Sequence, residues 1–554
     1  MHKEHLSILT RFWLLLKPDI KEIKNVYVLA VFAGILSLAL PLGIQSVVNF
    51  IQAGQVSTSW ILLVFLVVAS IVFSGVMTIT QLRITEKLQQ RIFVRAAFEF
   101  SDRIPKIKMM ELIKRYAPEL TNRFFDTVSI QKGLSKLLVD FSSASIQIFF
   151  GLVLLSFYHP FFILYGLFLT VLVFLIFKLT ATRGYKSSLR ESNYKYKIAH
   201  WLEELAYARF SFKMAGNPEL ALDRTNKYLN EYLRSRNVHF RVLVQQYSML
   251  IAFKAFVALG LLVIGGWLVL NQTLNIGQFV ASEIIILMVL SSVEKVILNL
   301  EDIFDVLTAI EKISQVTDLP LEQNHHEAMI HNTTKEGYDL KINNLTFKTE
   351  LLCHPIIENI TLSVNSNEIL GIRYDSSISS NVLFNLISGI YELQSGVIAI
   401  NSNSMNKMNR MELRNNIGNL MFQDRLINSS VEENISLGRS YVSPKEVQNI
   451  SEKLILSDYI SSFTDGFDTL INPEAHFIPK DVIQKILLAR ALVGKPKLLL
   501  IENPIDSIQE NHVDEVLNTL KNQSNCTILL ASNNPKVLNI CNRVVEFRKG
   551  QLLS

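Results

Sequence analysis

Apolar residues along this chain follow two rhythms. From about residue 26 to residue 300 they form long blocks almost free of charge. Beyond residue 337 they form short β-branched runs that alternate with helical patterns. Six of the blocks are long enough to cross about 30 Å of hydrocarbon as helices, which takes about 20 residues each. They cover roughly residues 26–51, 60–82, 138–158, 160–180, 247–270 and 276–298. Among the linkers, "QAGQVSTS", "HP" and "NQTLN" contain no lysine or arginine, whereas residues 83–136 contain 12 basic residues and residues 181–240 contain 11. Basic loops stay on the cytoplasmic side. The pattern therefore predicts a multi-pass protein of the inner (plasma) membrane with both termini and both long loops in the cytoplasm. The long loops keep apolar residues at helical spacing in "RITEKLQQRIFVRAAFEFSDRI" and "LALDRTNKYLNEYLRSRNVHF", so the membrane helices are expected to continue beyond the bilayer.

Composition agrees with this division. The chain has 554 residues, 49% of them hydrophobic, and a mean hydropathy of +0.28, which is high for a soluble protein. Its net charge of +5 has a place in the basic loops, so no nucleic-acid partner is implied. The three cysteines, Cys353, Cys526 and Cys541, form no CxxC pair and fit reduced thiols in a cytosolic domain. The N-terminal stretch has too short an apolar core for a removable signal peptide. The domain reading is a cytoplasmic or interfacial segment at 1–25, a transmembrane domain at 26–315, a polar linker at 316–336 and an α/β domain at 337–554. His325, His326 and His331 fall in the linker and read as solvated residues, so no metal centre is expected.

In the last domain the runs "LKINNLTF", "NITLSV", "EILGIR", "GVIAIN", "KLLLIE", "CTILLAS" and "RVVEFRKG" predict strands of a largely parallel sheet. Several segments then follow a known order. "ENITLSVNSNEILGI" is similar to the run into a phosphate loop. "LRNNIGNLMFQDRLINSSVEENISLG" is similar to a Q-loop segment, with Gln423 at the glutamine. "QKILLARALVGKPKLLLIENPIDSI" is similar to the stretch from a signature helix through Walker B, and "TILLASNN" to a switch-histidine strand. With six spans ahead of them, these segments make the chain resemble one half of an ABC-type exporter. The fold implied is an all-α six-helix transmembrane domain of the type I exporter kind followed by an α/β ABC ATPase-like domain. The breaks "PKIKMMELIKRYAPELTNR" and "EELAYARFSFKMAGNPE" each contain proline, and within them residues 107–113 and 205–211 resemble the coupling helices through which such spans dock on nucleotide domains.

The chemistry of that resemblance is altered at almost every position. A phosphate loop uses glycines to let backbone N–H groups wrap phosphates and a lysine to neutralise them. Here the glycine positions are Tyr374, Ser377 and Ser379, the lysine is Ser380, and the following positions are Asn381 and Val382. Asp375 brings negative charge to the loop. The signature falls on Ile478, Pro479, Lys480, Asp481 and Val482, where proline removes a donor and Asp481 would face a phosphate with like charge. Glu502 stands for the Walker B aspartate and could hold magnesium. Asn503 replaces the catalytic glutamate and cannot act as a general base. Asn533 replaces the switch histidine, and Thr349 the aromatic that stacks on adenine. ATP and magnesium are thus implied by the family alone, and the expected ATPase activity of the chain by itself is absent or very weak.

Three functions stay open. The first is an exporter subunit moving an unknown substrate, paired as a homodimer or with another half-transporter; the resemblance implies ATP sites shared between halves. The second is an ATP-independent membrane scaffold or receptor that keeps the exporter fold. The third is a self-sufficient ATP-driven exporter with non-standard motifs. Nothing at the N-terminus suggests cargo processing. Within the spans, Glu283 and Lys254 are candidate cavity residues, because charge inside a membrane is costly and defaults to function. Glu283 lies about 12 Å into the sixth span at 1.5 Å per residue. Lys254 could equally pair with Glu294 at a similar depth on the neighbouring span.

Overall fold

The computed structural model describes residues 7–52, 54, 58–216, 218–322, 336–349, 352–472 and 478–553. The linker histidines His325, His326 and His331 lie outside the described residues. The chain divides into two compact units, one of Met1–Ile107 with Glu111–Pro320 and one of Lys108–Met110 with Leu321–Ser554.

The first unit is helical. Among the described residues, six stretches are long and apolar enough to cross a membrane: Ile8–Gln52, Thr58–Lys106, Pro118–Ser156, Phe161–Tyr207, Glu219–Leu270 and Ile276–Thr317. The first begins at a Ser7 cap, whose hydroxyl accepts from the Thr10 N–H (3.2 Å). It is broken by a 3₁₀ turn at Lys17–Asp19, where Pro18 cannot continue an α-helical ladder. Thr58–Arg103 runs unbroken for 46 residues, about 70 Å at 1.5 Å per residue, and so continues far past any bilayer. The helix Ile276–Leu298 starts with a reciprocal cap. Asn275 Oδ1 accepts from the Gln278 N–H (2.7 Å) while Gln278 Oε1 accepts from the Asn275 N–H (3.0 Å). The sixth stretch is central and the second peripheral: half of the sixth's most apolar window is buried, none of the second's. Small residues make that central position possible. A Cβ added at Gly151 would stand 2.6 Å from Val289 Cγ2, so the third and sixth stretches touch where only glycine fits.

The second unit contains two main sheets. Strands Ile357–Val364, Leu340–Phe347, Ser395–Ile400 and Asn403–Ser404 form an antiparallel sheet in that order. The larger sheet runs Gln551–Leu553, Arg543–Arg548, Ile369–Tyr374, Thr527–Ala531, Leu498–Glu502, Ile417–Leu420, and its members are parallel apart from the edge strand Gln551–Leu553. Leu498–Glu502 and Thr527–Ala531 are buried at every position, as expected of central parallel strands covered on both faces. Three of the runs expected in one sheet thus belong to the separate antiparallel sheet. The four-residue strand Ile417–Leu420 lies inside the segment read as a Q-loop.

Helix Lys480–Leu492 packs against Ile417–Leu420 so closely that a Cβ at Gly418 would lie 2.0 Å from the Ala491 carbonyl oxygen. A backbone atom cannot yield as a side chain can. Gly418→Ala should therefore destabilise the second unit by about 1–3 kcal/mol, the usual range for overpacking. Limited proteolysis of the full-length protein should show faster cleavage within this unit; an unchanged rate would contradict the packing.

Candidate functional site

In an open parallel sheet the crevice for ligands lies outside the carboxyl ends of the strands. Register places Ile372 beside Ala531, Ala531 beside Glu502 and Leu420 beside Ile501. Tyr374, Asn533, the Glu502–Asn503 pair and Gln423 therefore emerge at one edge, and helix Ser377–Ile387 starts there.

That start is where a phosphate cradle would be, and its backbone is closed. The strand continues to Tyr374, which pairs with Phe547, and the helix begins at Ser377. Only Asp375 and Ser376 lie between them. Ser376 caps the helix: its hydroxyl accepts from the Ile378 N–H (3.4 Å) and its carbonyl from the Ser379 N–H (3.2 Å). Two donors that an anion would need are thus satisfied within the turn. The Asp375 carboxylate accepts from the Lys549 N–H (2.8 Å), in the turn that follows strand Arg543–Arg548.

The side chains behind the turn also satisfy one another. The Ser380 hydroxyl donates to the Ser377 carbonyl (3.0 Å) and reaches Glu502 Oε1 (3.4 Å). Asn381 Nδ2 donates to Glu502 Oε2 (3.3 Å), as does the Phe422 N–H (3.1 Å), and Gln423 Nε2 donates to Asn381 Oδ1 (3.1 Å). Burial pushes the Glu502 carboxyl above the usual carboxylate range, against the pull of those hydrogen bonds. Val382 is buried in the core rather than at the edge. Ser379 is buried too, and its hydroxyl donates to the Ile356 carbonyl (3.3 Å).

A second group crosses the same edge. The Tyr374 hydroxyl donates to Asn503 Oδ1 (2.9 Å), and the Tyr374 backbone exchanges two bonds with Asn533, N–H to Oδ1 (3.1 Å) and carbonyl from Nδ2 (2.9 Å). Gln484 Nε2 donates to the Asn503 carbonyl (2.6 Å), while its Oε1 accepts from the Ser507 N–H (2.8 Å). Gln484 was not singled out in the sequence; its only signal there is a place one turn into the signature helix. Asn503 sits at φ 46°, a left-handed conformation that asparagine tolerates.

At the signature position Pro479 and Lys480 are exposed and Asp481 is buried. The expectation that Asp481 would face a phosphate is corrected here. Its carboxylate lies inside the domain, 3.3 Å from Lys485 Nζ, and accepts from the Gln509 N–H (3.4 Å). Lys485 Nζ also stands 2.8 Å from His512 Nδ1. A buried carboxylate needs such a partner, and the i, i+4 lysine supplies it.

Three features set this edge apart from a usual magnesium and nucleoside triphosphate site. Ser380 supplies no charge at the lysine position, the turn is two residues long, and Asn381 directs an amide donor, not an oxygen, at Glu502.

In the helical unit, Lys254 Nζ donates to Glu294 Oε2 (2.7 Å), so its charge is already matched. Glu283 is half-buried and has no hydrogen-bonding or ionic partner among the described residues.

Two family models match the chain: the ABC transporter transmembrane region over residues 25–293 and the ABC transporter domain over residues 357–506. This chain belongs to the ABC transporter family. Among curated relatives of this ABC transporter chain, the leukotoxin translocation ATP-binding protein LktB of Pasteurella haemolytica-like sp. (strain 5943B) is 25% identical over 347 residues, 61% of this chain and 48% of that protein. The alpha-hemolysin translocation ATP-binding protein HlyB of Escherichia coli is 22% identical over 291 residues, 52% of this chain and 41% of that protein. The matches thus span about half the length of these relatives or less. The structure of a bacterial Atm1-family ABC exporter with ATP bound superposes with a TM-score of 0.81 at 16% identity, covering 96% of this chain and 94% of that one. The fold is therefore that of an exporter: a six-helix transmembrane domain followed by a sheet-containing ABC domain.

Two outcomes follow for this edge. Lys485→Met leaves Asp481 buried and uncompensated and should lower stability by about 3–5 kcal/mol, whereas Asp481→Leu with Lys485→Met should recover most of that; denaturant unfolding of both variants decides. Because burial raises the folded-state pKa of Glu502, its contribution to stability is present below the ordinary carboxylate range and lost as pH rises through the raised value. Glu502→Gln should therefore gain on the parent protein as pH rises; a difference in unfolding midpoint that does not change with pH would contradict this.

Proposed function

We propose that this chain is one subunit of an ABC-type membrane exporter, with both termini cytoplasmic, and that its nucleotide domain does not hydrolyse ATP by itself. The observation that carries the reading is the closed phosphate turn, with Ser380 at the lysine position and Asn503 at the position of the general base. Each charge-assisted bond to phosphate is worth roughly 1.5–3 kcal/mol. Losing two or three removes about 3–7 kcal/mol, or two to five powers of ten in affinity. A site of micromolar origin would then lie at or beyond millimolar ATP.

Pairing with a second half-transporter is supported by the short helix Arg209–Met214, where Phe210 and Met214 are 70% and 73% exposed. Apolar residues so exposed on a small helix suit a contact with another chain. Homodimer and heterodimer both provide one, and a partner with intact motifs would bring the ATP turnover this chain lacks. The unpartnered Glu283 suits contact with cationic or polar cargo along the export path. The relatives named for translocating leukotoxin and alpha-hemolysin make polypeptides the cargo class to test first.

A second reading, an ATP-independent scaffold or receptor, draws support from the concerted change at Tyr374, Ser380, Asn503 and Asn533, since loss of one position would suffice to slow an ATPase. The two separate on partner identity. Native isolation with a half-transporter carrying intact ATPase motifs supports the exporter subunit, whereas isolation alone or with a non-transporter supports the scaffold. For either, the full-length protein in lipid nanodiscs should show no saturable ATP turnover at millimolar Mg-ATP. Clear saturable turnover by this chain alone would overturn the proposal.

A further inference from the structure

The substituted positions at the sheet edge are partners of one another. Tyr374 closes one strand and Asn503 follows another, and between them lies Thr527–Ala531. Neighbouring strands are about 4.8 Å apart, so the two backbones stand about 10 Å from each other. The Tyr374 ring bridges that gap over the end of the middle strand and hydrogen-bonds Asn503 at 2.9 Å. The middle strand contributes Asn533, whose amide clasps the Tyr374 backbone from both sides at 3.1 and 2.9 Å. Gln484 joins from the signature helix through the Asn503 carbonyl at 2.6 Å. The phosphate-turn strand, the Walker B strand, the switch strand and the signature helix are thus tied together across the crevice in which a ligand of this fold would lie.

We propose that Tyr374 is an internal plug: its ring and hydroxyl occupy the vacated nucleotide crevice and hold these four elements in one arrangement that needs no nucleotide. This rests on the reading that the site does not turn over ATP, and extends it. Three features argue for a coupled unit over independent decay. Tyr374 extends the strand by pairing with Phe547, which shortens the turn to two residues. The hydroxyl finds an acceptor that a carboxylate at position 503 would also offer, but with asparagine no buried negative charge is created beside Glu502. The asparagine at position 533 satisfies an N–H and a carbonyl of one residue at once with an adjacent oxygen and nitrogen, whereas the donor and acceptor nitrogens of a neutral histidine point apart across the ring. The plug also implies that restoring the lysine alone cannot restore binding, because the ring would remain.

The test uses full-length protein in nanodiscs and radiolabelled Mg-ATP. Ser380→Lys alone should bind no better than the parent, while Ser380→Lys with Tyr374→Gly should bind at least about ten-fold more tightly. A double variant no tighter than the single one overturns the plug. Hydrogen exchange on the conservative Tyr374→Phe variant provides a second readout that does not depend on the glycine variant folding. Loss of one hydrogen bond should speed exchange by about five-fold together in segments 372–376, 501–505 and 531–535, and unchanged exchange in the last two overturns the coupling. Saturable ATP turnover by the parent protein would refute the proposed function, and the exchange experiment would still report whether Tyr374 couples the three segments.

Discussion

Buried polar groups at the carboxyl edge of a parallel sheet have to find partners, and in a nucleotide-binding domain a bound ligand satisfies many of them. In this chain many of the polar groups around the turn after Ile369–Tyr374 are satisfied by the protein's own residues. Ser376 accepts from the N–H groups of Ile378 and Ser379, Glu502 accepts from Asn381 and Phe422, and Tyr374 is held by Asn503 and Asn533. The rest of the site follows from that closure. Ser380 stands at the lysine position and Asn503 at that of the base, and both are hydrogen-bonded to neighbouring residues of the same edge. Asp481 is buried beside Lys485 as an ion pair within the domain.

The helical unit shows no comparable loss. Its six membrane-length stretches, the reciprocal cap at Asn275 and Gln278, and the glycine-mediated approach at Gly151 are features of a well-packed bundle. The α/β unit is likewise well packed, with central strands buried at every position.

Much of this was legible from residue types. The six spans were visible because membrane-length apolar runs have no soluble alternative, and the strands because β-branched runs bounded by turns read the same in any context. The motif order located Ser380, Asn381, Gln423 and Glu502, which the structure brings together. Sheet membership was not legible: "LKINNLTF" and "KLLLIE" look alike, yet one is antiparallel in a small sheet and the other central in a parallel one, because pairing is set by tertiary contacts. The inward turn of Asp481 was missed because a residue type does not specify which way its side chain points, and the lysine one turn on only permits the pair. The two-residue turn and the Tyr374 bridge were hidden for a similar reason. They depend on strand order, which places residues 374, 503 and 533 side by side although they are far apart in the chain.

The central claim is that the crevice is filled from within. It is tested most directly by a cryo-electron microscopy structure of the full-length protein in nanodiscs with millimolar Mg-ATP, at a resolution that shows side chains. The account predicts no nucleotide at the edge, the Tyr374 hydroxyl at hydrogen-bonding distance from Asn503, and helix 377–387 starting two residues after the strand. Nucleotide density against Ser380 and Glu502, with the Tyr374 ring displaced, would contradict it.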